Sequence, residues 1–298
     1  MKDDRKSLLY GLAAIFIWST CATAFKLALA RLDVFQLVAV AATCSALVLW
    51  LVVAWQGRVR LARDYLCSTP GYFALMGLIN PLLYYLVLLR AYDLLSAQQA
   101  QTINYTWAIT LALLAVPLLG QRLGWRDSLA ALLGYSGVVV IATQGRLLDM
   151  QLTSAEGVAL ALASTLVWAL YWILNTRNPR DPVVSLCLNF TLAAPLAWLL
   201  CALFSSPVVG DWRGLLAAAY VGLFEMGLTF ALWSTALRLA SGVSRVGNLI
   251  FLSPLFSLVF ISSILGEAIH PATLLGLALI LPGVLLQQTG RSAAPAPA

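Results

Sequence analysis

Apolar runs recur about every 25 to 30 residues along nearly the whole chain, and this recurrence limits the fold more than any other feature. An α-helix rises ~1.5 Å per residue, so each run can cross the ~30 Å hydrocarbon layer of a bilayer. Inside that layer the backbone has to satisfy its own hydrogen bonds, which a helix does. With 61% hydrophobic and 10% charged residues among 298, the chain is too apolar for a soluble domain of its length. It reads as an all-α membrane protein. Ten transmembrane helices are expected, at 8–31, 33–55, 71–92, 95–119, 127–144, 157–176, 183–205, 214–238, 243–265 and 271–289.

Basic residues sit mostly in the short connections. With the N-terminus placed in the cytoplasm, Arg31, Arg90, Arg146 and Arg213 fall outside and Lys26 falls inside the first span. The other thirteen Lys and Arg face the cytoplasm. The positive-inside rule then puts both termini in the cytoplasm. The net charge of +6 belongs to this asymmetry and does not mark a nucleic-acid surface. The opening MKDDRK runs into a full span with no small-residue cleavage site, so an uncleaved first helix is expected. The closing RSAAPAPA reads as a short disordered tail. Five cysteines, none spaced as CxxC and four inside apolar runs, suggest neither a metal site nor a disulfide framework, and no cofactor is expected.

The chain also repeats. Gly77, Asn80, Tyr84 and Ala91 match Gly222, Glu225, Thr229 and Ala236 at a constant offset of 145. Gly120-Gln121 after the fourth span matches Gly266-Glu267 after the ninth, and Gly145 and Gly290 close the spans that follow. Trp18 has a counterpart in Trp168. Residues 1–150 and 151–298 are therefore expected to be two five-helix halves. Five is odd, so the second half enters from the opposite side as an inverted repeat. In such repeats the substrate site lies near the midplane between the halves.

Three groups of polar or aromatic residues inside the spans point to function. The fourth span begins with Gln98, Gln99, Gln101, Thr102, Asn104, Tyr105, Thr106 and Trp107. Amide side chains facing lipid are costly, so these bond neighbouring helices or line a polar cavity. On an ideal wheel Gln98, Gln101, Thr102 and Tyr105 share a face, while Trp107 points nearly opposite to Tyr105. Either the helix unwinds locally or one of these residues packs between helices. In the sixth span Trp168, Tyr171, Trp172 and Asn175 fall within about 100° at ~100° per residue. The last three suit an interfacial belt as well as a site; Trp168, deeper, suits a cavity wall. Glu225 is the only acidic residue deep in any span, with Gly222 and Thr229 on its face. An ionisable group at midplane costs at least a few kcal/mol and by default marks function. It would bind a substrate amine or carry a proton; the alternative is a protonated carboxyl bonded to a neighbouring helix. Pro81 and Pro254 are candidate flex points.

The two five-helix halves, the early Trp in the first and sixth spans and the Gly-Gln and Gly-Glu endings resemble the drug/metabolite transporter superfamily of the type built from two EamA repeats. WST at 18–20, NYTW at 104–107 and WALY at 168–171 are similar to the bacterial aromatic amino acid exporters within it. The resemblance implies a bacterial inner-membrane carrier with a central cavity and places Tyr84, Tyr105, Trp107 and Trp168 around it. Ala97-Gln98-Gln99, where histidines are expected, and Asn80-Pro81, where bulkier residues are expected, depart from the pattern. Gln101, Asn104, Asn80, Glu225 and Thr229 complete the expected substrate-binding set.

Other classes fit less well. Gly134-Tyr135-Ser136-Gly137 matches the GxSG of rhomboid-type intramembrane proteases, but His270, the single histidine, lies at a different depth from mid-span Ser136, and a Ser–His pair needs contact at ~3 Å. No Walker motif supports ATP-driven transport, and nothing resembles a selectivity filter. The expectation is a secondary transporter that exports small amphipathic metabolites, foremost amino acids, by alternating access. A multidrug or other-metabolite carrier of the same fold is the alternative. A mixed aromatic and amide cavity suits a zwitterion with a variable side chain.

Overall fold

The computed structural model describes residues 3–121, 124–146, 152–240 and 248–291. Of the basic residues counted above, Lys2, Arg122 and Arg245 lie outside them, as do positions 292–298 of the tail. Every regular element among the described residues is a helix. In chain order they are α1 (Asp4–Leu29), α2 (Val34–Trp55), α3 (Val59–Ser68), α4 (Pro70–Leu94), α5 (Ala97–Leu119), α6 (Trp125–Ala142), α7 (Ala155–Thr176), α8 (Pro182–Phe204), α9 (Trp212–Leu239), α10 (Ser253–Leu265) and α11 (Pro271–Arg291).

Local chemistry sets many of the ends. Asp33, Ser96, Ser154, Asp181 and Asp211 each cap the helix that follows by accepting a backbone N–H. Gly120 and Gly266 close α5 and α10 at φ of 67° and 69°, where a side chain would be strained. Seven helices, α1, α2, α4, α5, α7, α8 and α9, are long and apolar enough to cross a membrane. The protein is therefore a multi-pass helical membrane protein. The other three expected spans fall on α6, α10 and α11. α6 has 18 residues, but Arg126 and Asp127 polarise its first turn. α10 follows a short 3-10 turn at Asn248–Leu252, and residues 243–247 lie outside the described residues. Pro254 stands in the first turn of α10, where a proline is tolerated without a kink. The ten-residue α3 was not among the expected elements.

Packing groups the chain into two compact units, Met1–Leu89 with Asn178–Phe260, and Arg90–Arg177 with Ile261–Ala298. Each draws on both sequence halves. In the first unit α2 and α8 lie antiparallel: Trp50 Nε1 donates to Thr191 Oγ1 and Trp198 Nε1 donates to Thr43 Oγ1, both at 2.9 Å. α4 crosses α8 at Gly77, where an added Cβ would stand 2.5 Å from the Asn189 carbonyl oxygen. α9 crosses α2 at Gly222, where a Cβ would collide with the Ala41 carbonyl and lie 2.8 Å from the Cys44 Cβ. Only glycine allows backbones so close. α1 packs on the end of α9 through Ala14, Ile15, Trp233 and Ala236, with the Trp18 ring 5.5 Å from those of Phe230 and Trp233.

Three helices of this unit are interrupted. α1 breaks at Thr20. α4 widens at Leu78–Leu83, where Asn80 is extended (φ −142°, ψ 116°) ahead of Pro81, the conformation that a following proline favours. α9 widens at Val221–Leu228 with no proline in it.

In the second unit α6 and α11 pack through glycines. A Cβ on Gly137 would lie 2.8 Å from the Gly276 carbonyl oxygen, and one on Gly283 would lie 3.0 Å from that of Ala130. Gly134 abuts Ile109 of α5. The glycines of Gly134-Tyr135-Ser136-Gly137 are thus packing residues, and the exposed Ser136 hydroxyl bonds the Leu133 carbonyl at 2.9 Å.

Candidate functional site

The breaks in α1, α4 and α9 come together around Glu225. This residue lies in the widened segment of α9, half-buried, with Oε2 shielded and without a hydrogen-bond partner among the described residues. Tyr85 Oη, on the turn after the α4 break, donates to Oε1 at 3.3 Å. The Cys21 thiol, just past the α1 break, lies against the same carboxyl. Thr20 Oγ1 shares a 2.6 Å hydrogen bond with Tyr220 Oη, and the Tyr220 ring sits 4.6 Å from that of Phe224. The α9 carboxyl is therefore met by one group from α4 and one from α1, each beside an interruption.

The neighbourhood is short of partners. Asn80 is 1% exposed and Asn189 1%, yet neither Oδ1 has a hydrogen-bond partner among the described residues, and the same is true of Ser45 Oγ and Thr23 Oγ1. Most buried polar atoms are paired, so unpaired oxygens at this density call for a ligand, water or another conformation to complete them. Thr229 is already satisfied: its hydroxyl donates to the Phe224 carbonyl five residues back, in the wide-turn pattern. Tyr84 is buried with its ring 4.9 Å from that of Tyr85. The residue that reaches Glu225 is Tyr85, next to the expected Tyr84, and a helical wheel drawn straight through the break at Asn80 does not point it there. Pro81 was the visible signal for that break. Thr20 closes the WST stretch, but nothing in the sequence singled out Cys21 or Tyr220.

The second unit carries the aromatic residues. α5 is interrupted at Tyr105–Thr106, which resolves the opposed directions of Tyr105 and Trp107 as local unwinding. Trp107 opens the next segment, edge-on to Trp168 at 6.5 Å. Trp168 stacks on Tyr171 at 5.6 Å and meets Trp172 edge-on at 6.0 Å. Asn104 Nδ2 donates to Ser164 Oγ at 2.9 Å, and Gln101 is 6% exposed. Gln98 and Gln99 serve as fasteners. Gln98 Oε1 accepts from His270 N at 2.9 Å and Thr273 Oγ1 at 2.8 Å, while its Nε2 donates to the Ala268 carbonyl. Gln99 Nε2 donates to the Ile141 carbonyl and to Thr153 Oγ1. A cavity of about 130 Å³ lies among Ser96, Gln98, Gln99, Gln144, His270 and Thr273.

These features define a class: a polytopic helical membrane protein that collects polar groups at interruptions of its spans. The profile of the EamA-like transporter family matches residues 5–143 and 155–287, and the chain belongs to that family. It is 33% identical over 175 residues to uncharacterized protein PA1977 of Pseudomonas aeruginosa, covering 57% of this chain and 59% of that one. It is 25% identical over 254 residues to the uncharacterized transporter YvbV of Bacillus subtilis, covering 84% and 81%. A further match, the uncharacterized transporter YyaM of Bacillus subtilis, is 25% identical over 183 residues and 58% of each chain. The matched region thus spans less than two thirds of PA1977 and of YyaM. A structure described only as "Crystal structure of protein" shares the fold at a TM-score of 0.69 and 24% identity, over 97% of this chain and 99% of that one. The family is one of transporters, not enzymes.

Proposed function

We propose that the chain is a secondary carrier that exports amino acids or similar small amphipathic metabolites by alternating access. In this reading it lies in a bacterial inner membrane with both termini cytoplasmic. It has ten spans, arranged as inverted repeats over 1–150 and 151–298. The offset of 145 between the close-packed Gly77 and Gly222 supports the repeat. The antiparallel Trp–Thr pairs of α2 and α8 support its inversion.

One observation carries the functional reading. The single deep carboxyl has one oxygen bonded by Tyr85 and the other without a partner among the described residues, in a widened stretch of helix. An ionised Glu225 would hold a substrate ammonium group through a charge-assisted bond, roughly twice as strong as a neutral one; the same oxygen can instead take a proton. Asn80 adds an amide acceptor. Trp107, Trp168, Tyr105, Gln101, Asn104 and Tyr84 are proposed as substrate-binding residues that select among substrate side chains. The similarity of WST, NYTW and WALY to the aromatic amino acid exporter YddG supports aromatic substrates, and the departures at Ala97-Gln98-Gln99 and Asn80-Pro81 support a broader range.

The test is counterflow of labelled alanine and tryptophan by the purified full-length protein in liposomes, with and without a proton gradient. Glu225→Gln is expected to lower exchange of amino acids about tenfold more than exchange of uncharged analogues, the ~1.4 kcal/mol of one charge-assisted bond. Equal loss for both would remove Glu225 from the site. Absence of amino-acid counterflow in the wild type, with flux of apolar cations, would identify a multidrug carrier instead.

A further inference from the structure

We infer that α3 is a docking helix for anionic phospholipid headgroups, independent of the transported substrate. The chain enters α3 from α2, which ends at Trp55, and leaves it for α4, which begins at Pro70; both neighbours are long and apolar enough to span the membrane. A helix of ten residues, ~15 Å long, tied at each end to a spanning helix must lie along the bilayer face. Gly57 at φ 68° makes the turn into it tight, so α3 starts at the depth where α2 stops. Trp55 at that exit is 87% exposed and Val59 47%, which suits the boundary between acyl chains and headgroups.

The inner face of α3 is fixed to its own unit. Ala62 is buried and the Tyr65 ring stacks on Phe73 at 6.4 Å. Tyr65 Oη accepts from Asp181 N, and Arg58 Nη1 pairs with Asp181 Oδ2 at 2.7 Å. Arg58 is thereby neutralised. The outer face keeps its charge. Arg60 and Arg63 are exposed, and neither has a carboxylate within ion-pairing range among the described residues, although Asp64 is on the same helix. Arg180, at the same corner, lies over the rings of Tyr65, Tyr72 and Phe73 at 5.8, 5.2 and 5.7 Å. Its guanidinium donates to Thr69 Oγ1 and Asn178 Oδ1, again with no carboxylate in range among the described residues. Elsewhere Arg31 and Arg90 have acidic partners, while the exposed Arg126, Arg177 and Arg213 have none among the described residues, so what sets α3 apart is the grouping of three such arginines at one corner. Three arginines without acids, set in the headgroup layer beside an exposed tryptophan, are complementary to lipid phosphate. The guanidinium fork binds phosphate oxygens in pairs.

Native mass spectrometry of the full-length protein in mild detergent, titrated with phosphatidylglycerol or phosphatidylcholine, tests this. The wild type is expected to retain phosphatidylglycerol preferentially. Arg60→Gln with Arg63→Gln should lower that retention about thirtyfold, at the strength usual for basic residues near an anionic surface. The double lysine variant should keep most of it, and Arg90→Gln, whose arginine is already paired with Asp93 and Glu156, should keep all of it. Excess inorganic phosphate should not displace the lipid. Equal phosphatidylglycerol retention in the wild type and the double glutamine variant would overturn the proposal. So would displacement by phosphate, which would identify a bare anion site rather than a lipid surface.

Discussion

Replacing Gly222 with alanine puts a methyl group against the Ala41 carbonyl and 2.8 Å from the Cys44 Cβ. Both obstacles belong to the α2 backbone or start from it, so no flexible side-chain end can swing away. The helices must separate instead, and overpacking of this kind costs about 1–3 kcal/mol. Gly77→Ala meets the Asn189 carbonyl at 2.5 Å and is expected to cost a similar amount at the offset position. At roughly 2–4 °C per kcal/mol, each variant should melt about 2–12 °C below the wild type in mild detergent. Gly71→Ala is the control, because nothing lies within 4 Å of its added Cβ. It should melt with the wild type or slightly above, since alanine is the better helix former. The two crossings sit within one turn of Asn80 and Glu225, so transport should fall with stability in both variants. If both melt with the wild type, the helices do not approach as closely as described and the glycine argument fails.

Trp168→Ala removes the ring stacked on Tyr171 and is expected to slow tryptophan exchange about tenfold more than alanine exchange, since one aromatic contact is worth ~0.5–1.5 kcal/mol; a uniform loss in the liposome assay would mark Trp168 as purely structural. Ser136→Ala should leave flux unchanged within error, because that hydroxyl bonds only its own helix in the structure. The Asp211 carboxyl is held below the usual carboxylate range, first by the Arg31 hydrogen bond at 2.6 Å and then by the backbone N–H of Arg213. A lowered folded value adds stability above the unfolded value of ~3.9 that is lost as pH falls through the folded one. Melting measured from pH 6 down to about pH 3 should therefore fall more steeply in the wild type than in Asp211→Asn, and parallel curves would refute the assignment.

What was legible in the sequence follows from what each signal reports. Span positions follow from apolar run length, and α1, α2, α4, α5, α7, α8 and α9 lie within a few residues of the expected ranges. The offset pairing found Gly77 and Gly222, because a glycine forced by helix contact leaves a mark at a fixed place. Asn80-Pro81 announced the α4 break, since a residue before proline avoids the helical conformation. The α9 break had no such mark, and neither did the one at Thr20; at both, side chains of the same helix take up freed carbonyls, Thr20 Oγ1 and Cys21 Sγ that of Ile17 and Thr229 Oγ1 that of Phe224. Tyr85 was hidden because wheel reasoning assumes 3.6 residues per turn through positions 78–83, where the turn is wider. α3 was hidden for a different reason. Ten residues with three arginines nearby carry no span signal, and their interfacial position depends on the two spans that flank them.

The two widened segments give the proposed mechanism its asymmetry. At the offset of 145, both place a polar side chain inside an interruption of the helix: an amide at Asn80 and a carboxyl at Glu225. Each Oδ1 or Oε2 lacks a partner among the described residues, so both positions can accept a hydrogen bond from something outside the protein. They differ in what they cost when empty. An unpaired amide oxygen loses about 1–3 kcal/mol, whereas an ionised carboxyl at midplane costs at least a few kcal/mol more. A second acid at Asn80 would double that cost and add a like-charge repulsion with Glu225, the one acid deep in a span. A single acid limits the cycle to one positive charge, either an ammonium group or a proton. When that charge leaves, the one hydrogen bond left to Glu225 among the described residues is that from the Tyr85 hydroxyl. An empty, ionised carrier is then the costly state, and exchange of one cationic group for another is the route that avoids it. The interruptions in α1, α4 and α9 lie where that exchange would be felt first.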